Sequence, residues 1–278
     1  MTTKSAATTV GGLLSGRISI ITGASSGLGR ATALAFTRQG ATVVCADRTP
    51  SPPSSAMQPT DELIRMEGGR SIFAHTDVSD AQSVRRLVRA AAEEFGRVDI
   101  MVNNAGIAPE ASDAHPVWET TEQVFDSTWG VNVRGVFLGC KYAGEQMLGQ
   151  PRIAERQRNG TIINLASVLG VLGKPGTVAY ATAKGAVIAM TRTVAMDYAP
   201  HGIHCNSILP GFTRTPMIST MTDDSGIEKH VAECHPMRRL GEPQEIADAA
   251  VFLASDLSNG ITGLNMSVDG GLHSQLRV

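Results

Sequence analysis

Short, continuous apolar runs alternate with amphipathic stretches along nearly the whole chain. Arg17–Ile21, Ala41–Ala46, Ser71–Thr76, Asp99–Val102, Thr161–Ala166, His204–Leu209 and Asn265–Val268 read as strands. Their side chains are apolar on both faces, as in a parallel sheet covered on both sides. Between them lie helical patterns over Arg30–Gln39, Thr60–Glu67, Ala81–Phe95, Thr121–Met147, Tyr180–Tyr198 and Pro243–Leu253. A strand–helix alternation of this length predicts an α/β fold with a doubly wound, Rossmann-type parallel sheet in three layers. Thr49 to Pro59 is too rich in proline and serine for a helix interior or a central strand, so it is expected to be a loop. Thr213 to His235 shows neither period and reads as an irregular, methionine-bearing excursion. Residues 1–13 read as a frayed tail, and 14–278 as a single domain.

Composition narrows the function classes. Of 278 residues, 42% are hydrophobic, enough for a large core. The net charge of −2 comes without a basic cluster, which argues against nucleic acid as the main partner. No apolar run reaches the ~18 residues of a membrane span. Cys45, Cys140, Cys205 and Cys234 are scattered without a C-x-x-C pair, and the seven histidines show no metal spacing. Small buried thiols in a reducing, cytoplasmic setting are the expectation. His201 and His204 flank a turn and read as surface residues.

The candidate chemistry sits at strand ends. Between the first strand and first helix runs Thr22-Gly23-Ala24-Ser25-Ser26-Gly27-Leu28-Gly29. Glycines there permit a tight exit, a close approach to a pyrophosphate and close helix packing, and Ser25 and Ser26 add donors. Asp47, after the second strand, is placed to accept from two ribose hydroxyls and to repel a 2′-phosphate, which favours NAD(H) over NADP(H). Arg48 beside it could instead pair with that phosphate. Asp77 and Val78 follow the third strand, where they could meet the adenine; helix capping is the rival reading for Asp77. Asn104-Ala105-Gly106 follows the fourth strand toward the nicotinamide side. Asn132 is a weak helix former within a helical pattern, which suggests either a local kink holding water near a lysine or a buried amide bonded to its own backbone. Tyr180 and Lys184 are one helical turn apart, with Ser167 just upstream. An ammonium near a phenol favours the phenolate, and a hydroxyl aimed at the same oxygen stabilises charge on it. That set suits moving a proton on or off an alcohol oxygen while a hydride moves at carbon.

Taken in order, Thr22-Gly23-x-x-x-Gly27-x-Gly29, Asp77-Val78, Asn103-Asn104-Ala105-Gly106, Asn132, Ser167, Tyr180-x-x-x-Lys184, Pro210-Gly211 and Val268-Asp269-Gly270-Gly271 resemble the short-chain dehydrogenase/reductase family from about Leu14 to Gly271. The resemblance implies an NAD(P)-dependent oxidoreductase with Tyr180 as general acid/base and Ser167 orienting the substrate oxygen. Lys184 would hold the nicotinamide ribose and lower the Tyr180 pKa, and Asn132 would support a proton relay. Thr213 and Thr215 would hold the carboxamide, Pro210 and Gly211 would also bind the cofactor, and about 213–235 would form a substrate lid. A homotetramer or homodimer is implied, with contacts near residues 121–147 and 180–198. The apolar residues Val168, Leu169, Val171, Phe212, Met217 and Met221 suggest a bulky hydrophobic secondary alcohol or ketone, such as a terpenoid, steroid or polyketide. Two rival readings are an NADPH-dependent 3-oxoacyl-thioester reductase and a cofactor-binding scaffold without catalysis.

Overall fold

Each apolar run is a strand in the computed structural model, which describes residues 12–52, 54, 57–222 and 225–275. Most of the expected tail, 1–11, lies outside the described residues, as do 53, 55 and 56 of the proline-rich loop. The strands are β1 (Ile18–Thr22), β2 (Thr42–Asp47), β3 (Ser71–His75), β4 (Ile100–Asn103), β5 (Gly160–Leu165), β6 (Ile203–Pro210) and β7 (Asn265–Val268). They form one parallel sheet ordered β3-β2-β1-β4-β5-β6-β7. Ile20 pairs in register with Val44 on one side and Met101 on the other.

Successive strand residues point to opposite faces, and both faces are covered. Ile20, Val44, Met101 and Ile162 pack toward α3 (Ala81–Phe95), α5 (Gly135–Gly149) and α6 (Val178–Tyr198). Their neighbours Ile21, Val43, Val102 and Ile163 pack toward α1 (Gly27–Arg38), α2 (Thr60–Met66) and α9 (Pro243–Ala254). Burying each such side chain contributes about 1.5–3 kcal/mol. The chain winds outward from β1 to β3, then returns to add β4 on the other side of β1. The loops at the carboxyl ends of β1 and β4 therefore diverge and leave a crevice.

The helix expected from Thr121 to Met147 is broken. α4 (Glu122–Trp129) passes into a π-helical turn, Gly130–Arg134, before α5 begins. An i→i+5 turn inserts an extra residue and rotates the next helix about its axis. The insertion places Asn132, fully buried, against a different loop. The excursion after β6 is more ordered than expected, containing α7 (Pro216–Thr222) and α8 (Ser225–Glu233). Its two ends meet at a neck, and its second half also joins the loop after β7, where Met237 N donates to Gly270 O at 3.3 Å and Gln275 Nε2 to Cys234 O at 2.6 Å. At the neck Thr213 bridges Gly241, Arg214 N donates to Gly241 O at 2.9 Å, and Gly241 N donates to Phe212 O at 2.9 Å.

Residues 150–159, before β5, form a polar loop rich in arginine that serves the structure. Arg156 reaches buried Asp99 at 2.6 Å, and Asp99 also accepts from Arg97 at 2.7 Å and from the Ile18 amide at 2.9 Å. Arg158 is fully buried and donates to Leu253 O, Ser255 O and Ser258 Oγ, closing the C-terminal end of α9. Burial pulls its pKa down to about 10. His204, expected at the surface, is half-buried against Arg158 at 3.4 Å. Cys45, Cys140 and Cys205 are buried free thiols, and Cys234 is half-buried.

Candidate active site

The crevice has a volume of about 700 Å³ and runs across the carboxyl ends of β1, β2, β4, β5 and β6. Its floor is tied by hydrogen bonds between β1 and β4. Thr22 Oγ1 accepts from the Asn104 and Ala105 amides, both at 3.0 Å, and Asn104 Nδ2 donates to Thr22 O at 2.8 Å. Gly23 leaves β1 in the left-handed region, at φ +67°. A Cβ on Gly29 would stand 2.1 Å from Gly23 O, so only glycine lets α1 start this close to β1. The α1 N-terminus opens toward the crevice with no side chain capping it. Its amides therefore offer donors to an anion.

Ser26, Gly27 and Leu28 border the crevice, with Asp47, Arg48, Asp77 and Val78 on the outer side. Asn104, Ala105, Gly106, Pro210, Gly211, Thr213 and Thr215 border its inner end. Thr215 faces Gly27, where an added Cβ would come within 3.6 Å. Ser25 and Gly29 are the exceptions among the expected cofactor residues. Ser25 Oγ is used by Thr49 O at 2.5 Å, and its amide is held by Asp47 Oδ2 at 3.1 Å. Ser25 shapes the loop rather than lining the crevice, and Gly29 acts through packing. Asp77 is not the helix cap: Asp80 caps α3 by accepting from the Gln82 and Ser83 amides. Asp77 instead accepts from Ser79 N at 2.9 Å and Ser79 Oγ at 2.6 Å, and that bonding holds its carboxyl below the usual range.

At the inner end the fold gathers Ser167, Tyr180 and Lys184. β5 delivers Ser167 and α6 carries the other two. The Ser167 hydroxyl, which accepts from Leu169 N at 3.1 Å, stands close enough to the Tyr180 phenol to lower its pKa. Lys184 is 4% exposed, donates to Leu165 O at 2.7 Å and lies 5.5 Å from the Tyr180 ring centroid. Asn132 does not bond its own helix. It clasps Ile107, accepting from its amide at 2.9 Å and donating to its carbonyl at 2.8 Å. Gly106 lies between: a Cβ there would stand 3.3 Å from Asn132 Oδ1 and 3.7 Å from Lys184 Nζ.

With this arrangement in view, the family model described as enoyl-(acyl carrier protein) reductase matches residues 23–273. The chain belongs to the short-chain dehydrogenase/reductase family. It is 38% identical to a 2,5-dichloro-2,5-cyclohexadiene-1,4-diol dehydrogenase of Sphingobium indicum, covering 93% of this chain and 97% of that one. It is 35% identical to a 3-oxoacyl-(acyl-carrier-protein) reductase of Thermotoga maritima, covering 93% and 98%. A crystal structure of a short-chain type dehydrogenase/reductase from Mycobacterium marinum superposes with a TM-score of 0.83 at 32% identity, covering 94% and 97%. This short-chain dehydrogenase/reductase is thus an enzyme of alcohol–ketone oxidoreduction, acting on CH–OH donors with a nicotinamide dinucleotide, and a non-catalytic scaffold is set aside.

Two electrostatic features depart from the expectation for such an enzyme. Burial raises the Tyr180 pKa above its ordinary value, while the nearby Ser167 hydroxyl lowers it in part. The Lys184 ammonium is not among the causes of that shift. Burial also lowers Lys184 itself, to about 8. Desolvation dominates at both groups, because each charged form loses water on entering the interior.

Beside Ser167 and Tyr180 opens a second, mainly apolar pocket bordered by Ala108, Val168, Leu169, Phe212, Met217 and Ile218. Val171 is excluded: it is 52% exposed and does not line the pocket. The Met221 side chain lies outside the described residues. Three polar residues at this pocket, Glu110, Lys174 and Thr177, have no signature in the sequence. Glu110 follows Pro109 in an irregular loop, and only tertiary contact shows what it does. Among the described residues no group of three His, Cys, Asp or Glu is placed to hold a metal, and no helix is long and apolar enough to cross a membrane.

Proposed function

We propose that this chain is an NAD(H)-dependent oxidoreductase that interconverts a secondary alcohol and a ketone carried on a bulky apolar body. One observation carries the reading. Ser167 and Tyr180 lie where the apolar pocket opens into the crevice, and both residues line both spaces. The crevice fits a dinucleotide. Gly23 and Gly29 hold α1 close to β1, and the free α1 amides with Ser26, Gly27 and Leu28 would hold a pyrophosphate. Asp47 would take the adenosine ribose, and Asp77 with Val78 the adenine. Asn104 to Gly106, Lys184, Pro210, Gly211, Thr213 and Thr215 would border the nicotinamide half.

A nicotinamide supplies the hydride acceptor or donor when bound. In oxidation Tyr180, as phenolate, takes the hydroxyl proton. Ser167 donates to the same oxygen as negative charge develops there. Asn132 holds the Ile107 backbone beside Lys184 and is assigned to the proton relay. The excursion after β6 serves as the substrate lid, since Met217 and Ile218 line both spaces. A cytoplasmic homotetramer or homodimer completes the proposal. It is supported by exposed Trp129, Phe137, Leu148 and Met196 on α4, α5 and α6.

The test monitors NAD reduction over a panel of terpenoid, steroid and polyketide-like alcohols. Turnover limited to sugars or small polar alcohols would reject the substrate class. Tyr180→Phe is expected to lower turnover by about a thousandfold or more while NAD binding stays intact; unchanged turnover would remove Tyr180 from its role. A second reading has support in exposed Arg48 at the crevice and in the 3-oxoacyl-(acyl-carrier-protein) reductase relative. In it Arg48 pairs with a 2′-phosphate and the substrate is a 3-oxoacyl thioester. Higher kcat/KM with NADP than with NAD would establish that reading in place of the first.

A further inference from the structure

From its contacts we infer that Glu110 is a positioning residue for Tyr180, acting as an external clamp on the first turn of α6. The inference rests on the acid/base reading of Tyr180 given above. The first amides of any helix lack intrahelical acceptors. In α6 the N-cap residue Thr177 supplies none: its hydroxyl donates to Lys174 O at 2.8 Å and accepts from no amide of the helix. Glu110 supplies two from a loop far upstream. Its Oε1 accepts from Ala179 N at 3.0 Å and its Oε2 from Tyr180 N at 2.8 Å. The carboxylate is 2% exposed, and both oxygens are engaged by backbone. It borders the substrate pocket, yet its geometry is spent on holding the helix rather than on a ligand.

What the clamp connects gives it a function. Asn104, Ile107 and Glu110 lie within seven consecutive residues, and each fastens a different part of the site. Asn104 holds the β1 exit, Ile107 is clasped by Asn132, and Glu110 grips the backbone of the residue that carries the phenol. A negative charge at a helix N-terminus is favourable, and a two-point hold fixes rotation as well as position. Tyr180 is thereby kept within hydrogen-bond reach of Ser167. Releasing its backbone would let the hydroxyl drift by a fraction of an ångström.

The experiment compares wild type with Glu110→Ala and Glu110→Gln, using the alcohol best turned over in the panel. Alanine is expected to lower kcat about a hundredfold, the cost of a small misplacement of a reacting group. The Kd for NAD should stay within about threefold, because no cofactor contact is removed. Glutamine keeps one acceptor and should recover about tenfold of the loss. Amide hydrogen exchange reads the clamp without turnover. The Ala179 and Tyr180 amides should be protected about a hundredfold or more in wild type, against near-free exchange for an unclamped first turn. Both should exchange freely in the alanine variant and one in the glutamine variant. Free exchange of both in wild type, or a folded alanine variant whose kcat is unchanged, overturns the inference. Loss of NAD binding in parallel with kcat also overturns it, as that marks general collapse. If alanine does not fold, glutamine and wild-type exchange decide. A panel without turnover would reject the substrate class proposed above, and the amides would still judge the clamp.

Discussion

At neutral pH the Lys184 ammonium occupies a place that burial makes unfavourable. Its pKa falls from 10.5 to about 8, a difference worth about 3 kcal/mol. The sign comes from proton counting. Between pH 8 and 10.5 the unfolded chain binds a proton that the folded chain has released, so stability rises with pH. Below pH 8 both states are protonated and the full penalty stands. Lys184→Met should therefore abolish turnover yet raise the pH 7 melting midpoint by a few degrees, after about 1–2 kcal/mol is lost with the bond to Leu165 O. The gain should vanish as pH approaches 10.5, which thermal scans of both proteins across pH would show. Tyr180 carries a complementary prediction. A hydrogen bond from the adjacent Ser167 hydroxyl would favour its phenolate, so Ser167→Ala should move the acid limb of alcohol oxidation to higher pH as well as lowering kcat. A pH–rate profile with the limb unmoved would show that the bond does not tune the phenol.

Among elements, the strands were legible because continuous apolar runs have one common use, a sheet buried on both faces. β7 matches its expected bounds, and α3 matches from Ala81 to Phe95. The break in the helix around Asn132 was visible only as a weak helix former; the register shift depends on Ile107, a partner 25 residues away. The same holds for Glu110 and for the arginines before β5, whose partners are distant in sequence. Local pattern reports what a residue does to its own element and is silent on such links. Arg158 offers a test of one. It joins β5 to the end of α9 through backbone and hydroxyl acceptors. Arg158→Ala should destabilise the fold by about 2–4 kcal/mol, read as a fall of several degrees in the melting midpoint. A shift within one degree would show that those carbonyls find other donors.

For the whole molecule, the two ends of the sheet divide the work. Crevice, phenol and apolar pocket lie at the carboxyl ends, while Asp99, Arg97, Arg156 and Arg158 fasten the amino ends. A ligand that binds only the folded state raises its stability by mass action. NAD at a hundred times its Kd should add about 2.7 kcal/mol, and NADP at the same concentration less. Equal shifts in thermal scans would refute the use assigned to Asp47. The exposed apolar side chains of α4, α5 and α6 predict a particle whose mass is a multiple of 29.2 kDa. Light scattering checks this, and Phe137→Glu should shift the particle toward the monomer.

The neck at Thr213 and Gly241 has a consequence for how such an enzyme diversifies. The chain between those two residues has its entry and exit at one point, while its second half is anchored to the loop after β7 through Cys234 and Met237. The roof itself, α7 and α8, can be exchanged for another sequence of different length without re-registering a single strand. Substrate preference and scaffold stability can then change independently, because a graft there rewrites the roof and leaves the foundations alone.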